Sequence, residues 1–199
     1  MKKSDKIIIS LAGMLFIGIF AVTMGGFSNQ CEEVRNSTLR LHIIANSDNQ
    51  ADQDLKFKVR DAVLKEYGKI MEGCANLPSA EKTMEFLKPD IEKTALKTLQ
   101  SNKCNDEVSV SLTKMYFNNR KYDEGVTLPA GEYEALRIVI GDGEGKNWWC
   151  VMYPPICIPA ACSRDATEIE EKIRDLSRTP NYEAKFYCIE LLERLRKNV

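Results

Sequence analysis

The fold is decided by residues 39–64, which read LRLHIIANSDNQADQDLKFKVRDAVL. The first six residues alternate in the way that is typical of a β-strand with one buried face. Polar residues then interrupt the strand. Ser47 and Gln50 have the spacing of a capping box, in which a hydroxyl and an amide satisfy backbone N–H groups at a helix start. Apolar residues at intervals of three and four follow. The stretch therefore predicts a strand over about 39–45, a turn and an amphipathic helix over about 49–72.

Helical spacing and strand-like alternation of apolar residues both recur along the rest of the chain. A second helical stretch, over about 80–100, has Ser79 as its expected cap. Pro89 lies inside it and predicts a kink or a break into two helices. Alternating segments then predict three strands, over about 107–117, 132–140 and 147–153. A glycine-rich stretch separates the last two strands and predicts that they form a hairpin.

These elements predict the α+β class. We expect a two-layer fold in which an antiparallel sheet of about four strands packs on helices, preceded by an N-terminal hydrophobic helix. At 199 residues the chain is long enough for one domain with additional segments. The expected organisation is a signal peptide or transmembrane anchor at 1–27, a polar spacer at 28–38, the α+β domain at 39–162 and a C-terminal helical extension at 163–199.

The N-terminus has the features of an export segment. Lys2, Lys3 and Lys6 precede a stretch from Ile7 to Phe27 that is almost entirely apolar or small. This is the layout of a signal peptide, and the stretch is also long enough to span a bilayer as a helix. Residues 23–25 (Thr-Met-Gly) offer a tolerable cleavage site, so cleavage and retention both remain open. The lysines favour a cytoplasmic N-terminus, which places the rest of the chain outside.

Composition narrows the classes of function. Lys and Arg number 28 against 29 Asp and Glu, so there is no basic excess to neutralise phosphates, and no nucleic acid is expected as a partner. No small-molecule substrate is expected. The single histidine, His42, cannot build a Cys/His zinc site at the usual spacings, and no metal or cofactor is expected. The basic face of the first long helix is interpreted as a solvated surface, and its residues are Lys56, Lys58, Arg60 and Lys65.

Seven cysteines outside the cytoplasm raise the question of disulfides. The favoured pair is Cys150 and Cys157, because the two prolines between them can turn the chain back on itself. Cys74 and Cys104 bracket a helical region and make a weaker pair. The alternative is that the cysteines are buried free thiols that pack as small apolar side chains.

Two features invite a functional interpretation. His42 could act with a cysteine or serine nucleophile, but no Gly-x-Ser-x-Gly motif selects a partner, and a lone histidine on a strand is more often a packing residue. Trp148 and Trp149 are adjacent on a predicted strand, so their indoles point to opposite faces of the sheet. One can enter the core, and the other can serve a partner, since tryptophan is enriched at binding hot spots.

Two blocks of sequence resemble the stage II sporulation protein R family. The first comprises LRLHIIANSD at 39–48, continued by Asp52-Gln53-x-Leu55-Lys56-x-Lys58-Val59-Arg60-Asp61-Ala62-Val63. The second comprises PAGEYEALRIVIG at 129–141, followed by GEGKNWWCVMYPPIC at 143–157. The blocks occur in the family's order behind an export segment, and the resemblance covers about residues 39–158. The C-terminal helical part carries no matching motif.

The resemblance implies a signalling protein that is made in the forespore and exported into the space between the two cells of a sporulating bacterium. There it is expected to activate a membrane-bound aspartic protease of the mother cell, which then cuts the sigma-E precursor. The membrane itself is an expected partner through residues 7–27. The candidate partner-binding residues are Asn46, Ser47, Asp48, Trp148 and Trp149.

Two other classes of function stay open at this point. One is an exported hydrolase that acts on peptidoglycan or peptide and uses His42 or a cysteine as its catalytic group. The other is a structural protein of the spore envelope, for which the sequence offers no repeat.

Overall fold

A computed structural model describes residues 3–122, 126–154 and 168–197. Its elements, in chain order, are α1 (Lys3–Arg35), β1 (Leu39–Ile44), α2 (Gln50–Glu72), α3 (Leu77–Ser101), β2 (Val108–Phe117), β3 (Arg120–Lys121), β4 (Thr127–Leu128), β5 (Gly131–Ile140), β6 (Asn147–Tyr153), α4 (Glu168–Arg178) and α5 (Tyr182–Lys197). The chain divides into two compact units. The sheet unit comprises 35–117 and 131–171, and the helical unit comprises 1–34, 118–130 and 172–199.

The sheet unit confirms the α+β class but corrects the strand directions. Its four strands lie in the order β2-β5-β1-β6. β2 is antiparallel to β5 and β1 is antiparallel to β6, whereas β1 and β5 are parallel. The sheet is therefore mixed, and the expectation of an antiparallel sheet was wrong. The physical reason is the connection from β1 to β5, which includes two long helices and therefore has the length that a parallel pairing requires.

The predicted hairpin of β5 and β6 is also wrong, because β1 lies between them. All six residues of β1 are buried, in keeping with its interior position in the sheet. The loop from 141 to 146 begins with a tight turn, in which the N–H of Gly143 donates to the carbonyl of Ile140 (3.2 Å), but it does not join two paired strands. It passes over the C-terminal end of β1, and this crossing forms the site described below.

The helices α2 and α3 pack on one face of the sheet and form the main core with it. Their caps differ from the predicted ones. Asn49, not Ser47, caps α2, and its side chain accepts a hydrogen bond from the backbone N–H of Asp52. Asn76 caps α3 in a capping box with Ser79, and α3 continues through Pro89 as one helix. The fully buried core residues from the helices and strands include Leu41, Val59, Val63, Met84, Ile91, Leu99 and Leu136.

The opposite face of the sheet carries a second cluster, built around a buried arginine. The Arg40 guanidinium lies 4.1 Å from the ring centroid of Phe117 and 4.9 Å from that of Tyr133. Both distances are within the range of a cation–π contact. Trp149 packs edge-to-face on Phe117, with ring centroids 4.8 Å apart.

The helical unit contains α1, whose residues include one 18-residue window with a mean hydropathy of 2.5 and no burial inside the structure. Among the described residues it is the helix that is long and apolar enough to cross a membrane, and a signal sequence has the same properties. Residues 28–35, within the predicted spacer, continue α1 as helix.

Candidate functional site

The loop from 141 to 146 is bound to the turn that follows β1. The backbone N–H of Gly145 donates to the carbonyl of Ala45 (2.9 Å), and that of Glu144 donates to the carbonyl of Asn46 (3.0 Å). The N–H of Asp142 donates to Oδ1 of Asn46 (2.9 Å). The structure thus brings the predicted turn residues against the loop that leads into the two tryptophans. We call residues 45–48 together with 141–146 the crossing.

The three predicted turn residues have different surroundings. Asn46 is tied to the loop, and the hydroxyl of Ser47 donates to the carboxylate of Asp52 (2.7 Å). Asp48 accepts from the backbone N–H of Lys146 (2.7 Å) but is otherwise exposed. Asn46 and Ser47 therefore hold the crossing together, and Asp48 is the member of the three that is presented to solvent.

Lys56 supports the crossing from α2. Its ammonium group donates to Oε1 of Gln53 (2.6 Å) and to the carbonyl of Lys146 (2.8 Å). Only 2% of the residue is exposed, so the interpretation of this residue as part of a solvated face was wrong. Burial lowers the pKa of Lys56, and the negative charge of Asp48 opposes that shift. Lys56 is a positioning residue for the loop.

We expect Lys56→Met to lower the free energy of unfolding by about 2 kcal/mol, because it leaves the Lys146 carbonyl without its charged donor. The matched control is Lys58→Met on the same helix. Lys58 is exposed and donates to Oδ1 of Asn102, so its replacement should change stability by less than about 0.5 kcal/mol. Urea unfolding of the two variants measures both effects, and equal losses would contradict the role of Lys56.

Beside the crossing, Trp148 forms a surface with two residues of α2. The Arg60 guanidinium lies 5.1 Å from the ring centroid of Trp148 and 4.8 Å from that of Phe57. Phe57 is exposed, and Trp148 is partly buried against the main core. We call these three residues the aromatic–arginine patch. Tryptophan and arginine are the side chains most enriched at binding hot spots.

Trp149 lies on the other face of the sheet, as the alternation of side chains along a strand predicts. Its ring stacks on that of His42, with centroids 3.8 Å apart and an interplanar angle of 7°. Trp148 and Trp149 therefore do not share one surface. The packing of Trp149 on His42 and Phe117 gives it a structural role in this cluster.

The surroundings of His42 decide what its imidazole can do. Nε2 donates to Oδ1 of Asn147 (2.7 Å), and Nδ1 is buried without a hydrogen-bond partner in the described part of the chain. Burial lowers the pKa of His42 from 6.5 to about 4; the hydrogen bond to Asn147 opposes this shift, and the positive charge of Arg137 adds to it. The imidazole is neutral at pH 7 and is closed off from a substrate.

Among residues 3–122, 126–154 and 168–197, no cluster of three or more His, Cys, Asp or Glu side chains is arranged to hold a metal ion. Cys150 is disulfide-bonded, whereas Cys74 and Cys104 are free thiols, so the weaker predicted pair of Cys74 and Cys104 is wrong. The favoured partner of Cys150, Cys157, lies outside the described residues, and that pairing stays a prediction.

Phe57 and Arg60 were missed by reasoning from the sequence. Their spacing of three residues places them on one face of a helix, and an aromatic residue among lysines was the available signal. That signal does not reveal which strand lies beside the helix. Asn147 was missed for a similar reason, since it is separated from His42 by 105 residues.

The fold and the site define an α+β domain that follows a segment able to span a membrane and that presents an aromatic–arginine patch. Residues 35–163 match the family model for stage II sporulation protein R. The chain is also 36% identical over 143 residues to stage II sporulation protein R of Bacillus subtilis (strain 168). This alignment covers 72% of the chain and 63% of that relative's length. No solved structure matches the chain significantly. The chain belongs to the stage II sporulation protein R family.

Proposed function

We propose that the chain is an exported sporulation signal that activates a membrane-bound aspartic protease, which then processes the sigma-E precursor in the mother cell. It reaches the space between forespore and mother cell as a secreted protein or anchored by α1. Family membership and the apolar N-terminal helix support this proposal. It is the function that the family resemblance implies for a domain placed behind an export segment.

The observation that carries the proposal at the level of residues is the aromatic–arginine patch. Its indole and guanidinium are held by α2 and β6, two regular elements, and the crossing fixes the loop that precedes Trp148. A binding surface held in place before the partner arrives loses little conformational entropy on binding. We therefore assign the aromatic–arginine patch as the contact surface for the protease. We include Asp48, which lies just before α2 in the sequence, in this surface.

The alternative of an exported hydrolase needs His42 or a cysteine as its catalytic group, and His42 was its best support. A general base needs a pKa near the working pH and access to the proton that it removes. His42 has a pKa of about 4, gives its Nε2 hydrogen to Asn147 and is stacked under Trp149. These contacts favour a packing role, so a non-enzymatic ligand is the better-supported class.

We expect Trp148→Ala to reduce precursor processing at least tenfold while the domain remains folded, since loss of a hot-spot aromatic side chain typically costs about 2 kcal/mol or more of binding free energy. The measurement is cleavage of the sigma-E precursor when this chain, a sporulation aspartic protease and the precursor are co-expressed. Phe86→Ala is the matched control, because Phe86 is also a large aromatic residue and is 81% exposed, but it lies on α3 outside the patch.

Two failures of this experiment have different meanings. Normal processing with a folded Trp148→Ala variant would contradict the assignment of the patch but leave the function standing. Cleavage that is equally complete without the chain, or with a chain that lacks residues 1–27 and stays in the cytoplasm, would contradict the proposed function. Activity of His42→Ala at the normal level would further count against the hydrolase.

A further inference from the structure

The C-terminal helix α5 is apolar on two sides. Phe186 and Ile189 are buried inside the helical unit. An exposed row lies on a different side of the helix and contains Tyr187, Leu191 and Leu195, of which Tyr187 is 68% exposed. Residues four apart lie on one face of a helix, so these three side chains form a continuous stripe, which Leu192 widens. An exposed apolar stripe of this kind marks a site that a partner or a membrane covers.

The inner face of α5 is attached to the end of α1. The rings of Phe27 and Phe186 meet edge-to-face with centroids 5.1 Å apart, and the ammonium of Lys185 lies 5.4 Å from the Phe27 centroid. On α4, Lys172 forms an ion pair with Glu33 of α1. Cys31 and Val34 are also buried. The helix pair α4–α5 therefore packs on the segment of α1 that begins at Phe27.

Because α5 is attached to α1, the depth of α5 in the bilayer follows from the depth at which α1 enters it. The large apolar side chains of α1 are exposed from Ile7 to Val22, and Phe27 is the first fully buried residue after them. The 21 residues from Ile7 to Phe27 form about 30 Å of helix, which matches the thickness of the hydrocarbon core. A polar headgroup layer of roughly 5–8 Å covers each side of the hydrocarbon core. Phe27, and the part of α5 that contacts it, thus fall at the boundary between headgroups and acyl chains.

The polar groups at the edge of the stripe suit this position. Arg194 and Arg196 are exposed in the last turns of α5, where they pair with Glu190 and Glu193. Amphipathic helices that lie in the interface have an apolar face bordered by basic residues, which reach the lipid phosphates. The stripe and its border have this composition.

We propose that α5 lies in the membrane interface, with Tyr187, Leu191, Leu192 and Leu195 in contact with lipid acyl chains. The inference rests on the part of the proposed function that places residues 7–27 in the membrane, and it is independent of the protease. It assigns a role to α4 and α5, which lie outside the residues matched by the family model. Because α5 packs on residues from Phe27 onward, its contact with lipid adds to the membrane attachment that α1 provides.

Photo-crosslinking of the full chain in vesicles of phosphatidylglycerol and phosphatidylcholine tests the proposal. The photoreactive residue p-benzoylphenylalanine replaces Leu191 on the stripe, Phe16 in α1, Arg178 on α4 or Phe86 on α3. All four positions are exposed in the structure. We expect phospholipid adducts, identified by mass, at positions 191 and 16. The yield should be roughly tenfold lower at positions 178 and 86, because neither belongs to an apolar face that is buried in lipid.

Each outcome bears on a separate statement. Adducts at 16 but not at 191 would overturn the proposed role of α5 alone, and so would a chain-to-chain adduct at 191, which would indicate a second copy on the stripe. No adduct at 16 would overturn the placement of α1 in the membrane. Leu192→Asp combined with Leu195→Asp should lower the lipid adduct at position 191 roughly tenfold, because charged side chains oppose burial of the face. An unchanged yield in a variant with the same helix content would contradict the proposal.

Discussion

Gly145→Ala is expected to lower the free energy of unfolding by about 3 kcal/mol, the upper part of the range for an overpacked site. A Cβ atom at this position would lie 2.3 Å from the carbonyl oxygen of Ser47 and 2.9 Å from Cβ of Ala45. The first of these atoms belongs to the backbone and cannot rotate away. The loop must therefore withdraw from the end of β1, and the hydrogen bond from Gly145 to Ala45 is lost. The effect is measured by urea unfolding, with tryptophan fluorescence as the probe of the transition.

Gly73→Ala is the control for the loss of glycine itself. Gly73 ends α2 with φ −82°, which any residue adopts, and an added Cβ would lie 3.5 Å from its nearest neighbour, the Ile70 carbonyl oxygen. Its replacement should leave stability within about 0.5 kcal/mol or raise it slightly, since alanine restricts the unfolded chain. If the two variants lose the same free energy, close backbone approach at the crossing is not what requires Gly145.

The second prediction concerns the loss of folding stability at acidic pH. His42 has a pKa of about 4 in the folded chain, against 6.5 for an unperturbed histidine. Between these values the unfolded state binds the proton and the folded state does not. Stability that is fully present above pH 6.5 is therefore lost as the pH falls towards 4, by about 3 kcal/mol in total. The structural cause is burial of the imidazole under Trp149, where the charged form loses its hydration.

The measurement is the free energy of unfolding at pH 7 and at pH 4.5, for the parent chain and for His42→Gln. His42 is the single histidine of the chain, so the variant removes this titration and keeps the carboxylates as a common background. The variant should be less stable at pH 7, because the stacked ring is lost, but its stability should fall less between the two pH values. A parallel fall in both proteins would contradict a buried, neutral His42.

Local patterns in the sequence are sufficient to predict most of the helices and strands. The alternation in residues 39–44 and the spacing of apolar residues in 50–72 correspond to β1 and α2 within a few residues, because burial of one face imposes a period that can be read over one element. The apolar run at 7–27 is likewise visible without a fold. The candidate partner-binding residues combined the turn at 46–48 with Trp148 and Trp149, and the crossing brings that turn against the loop that leads into Trp148.

Contacts between distant residues required the tertiary structure. β5 and β6 look like a hairpin because adjacent alternating segments usually pair, yet β1 takes the place between them. Ser47 fitted a capping box, but the carboxylate of Asp52 binds its hydroxyl and Asn49 caps the helix instead. In each case several partners satisfy the same local pattern, and the packing of the whole domain selects one of them.

The same distinction applies to residues 39–64. The sequence by itself determined a strand, a turn and a helix there, since periodicity and polarity depend only on near neighbours. Only the tertiary structure decided that His42 is locked by Asn147, that Lys56 is buried and that Arg60 faces Trp148. These properties depend on which strand lies beside β1, and that choice depends on the free energy of long-range pairing, which no local pattern specifies.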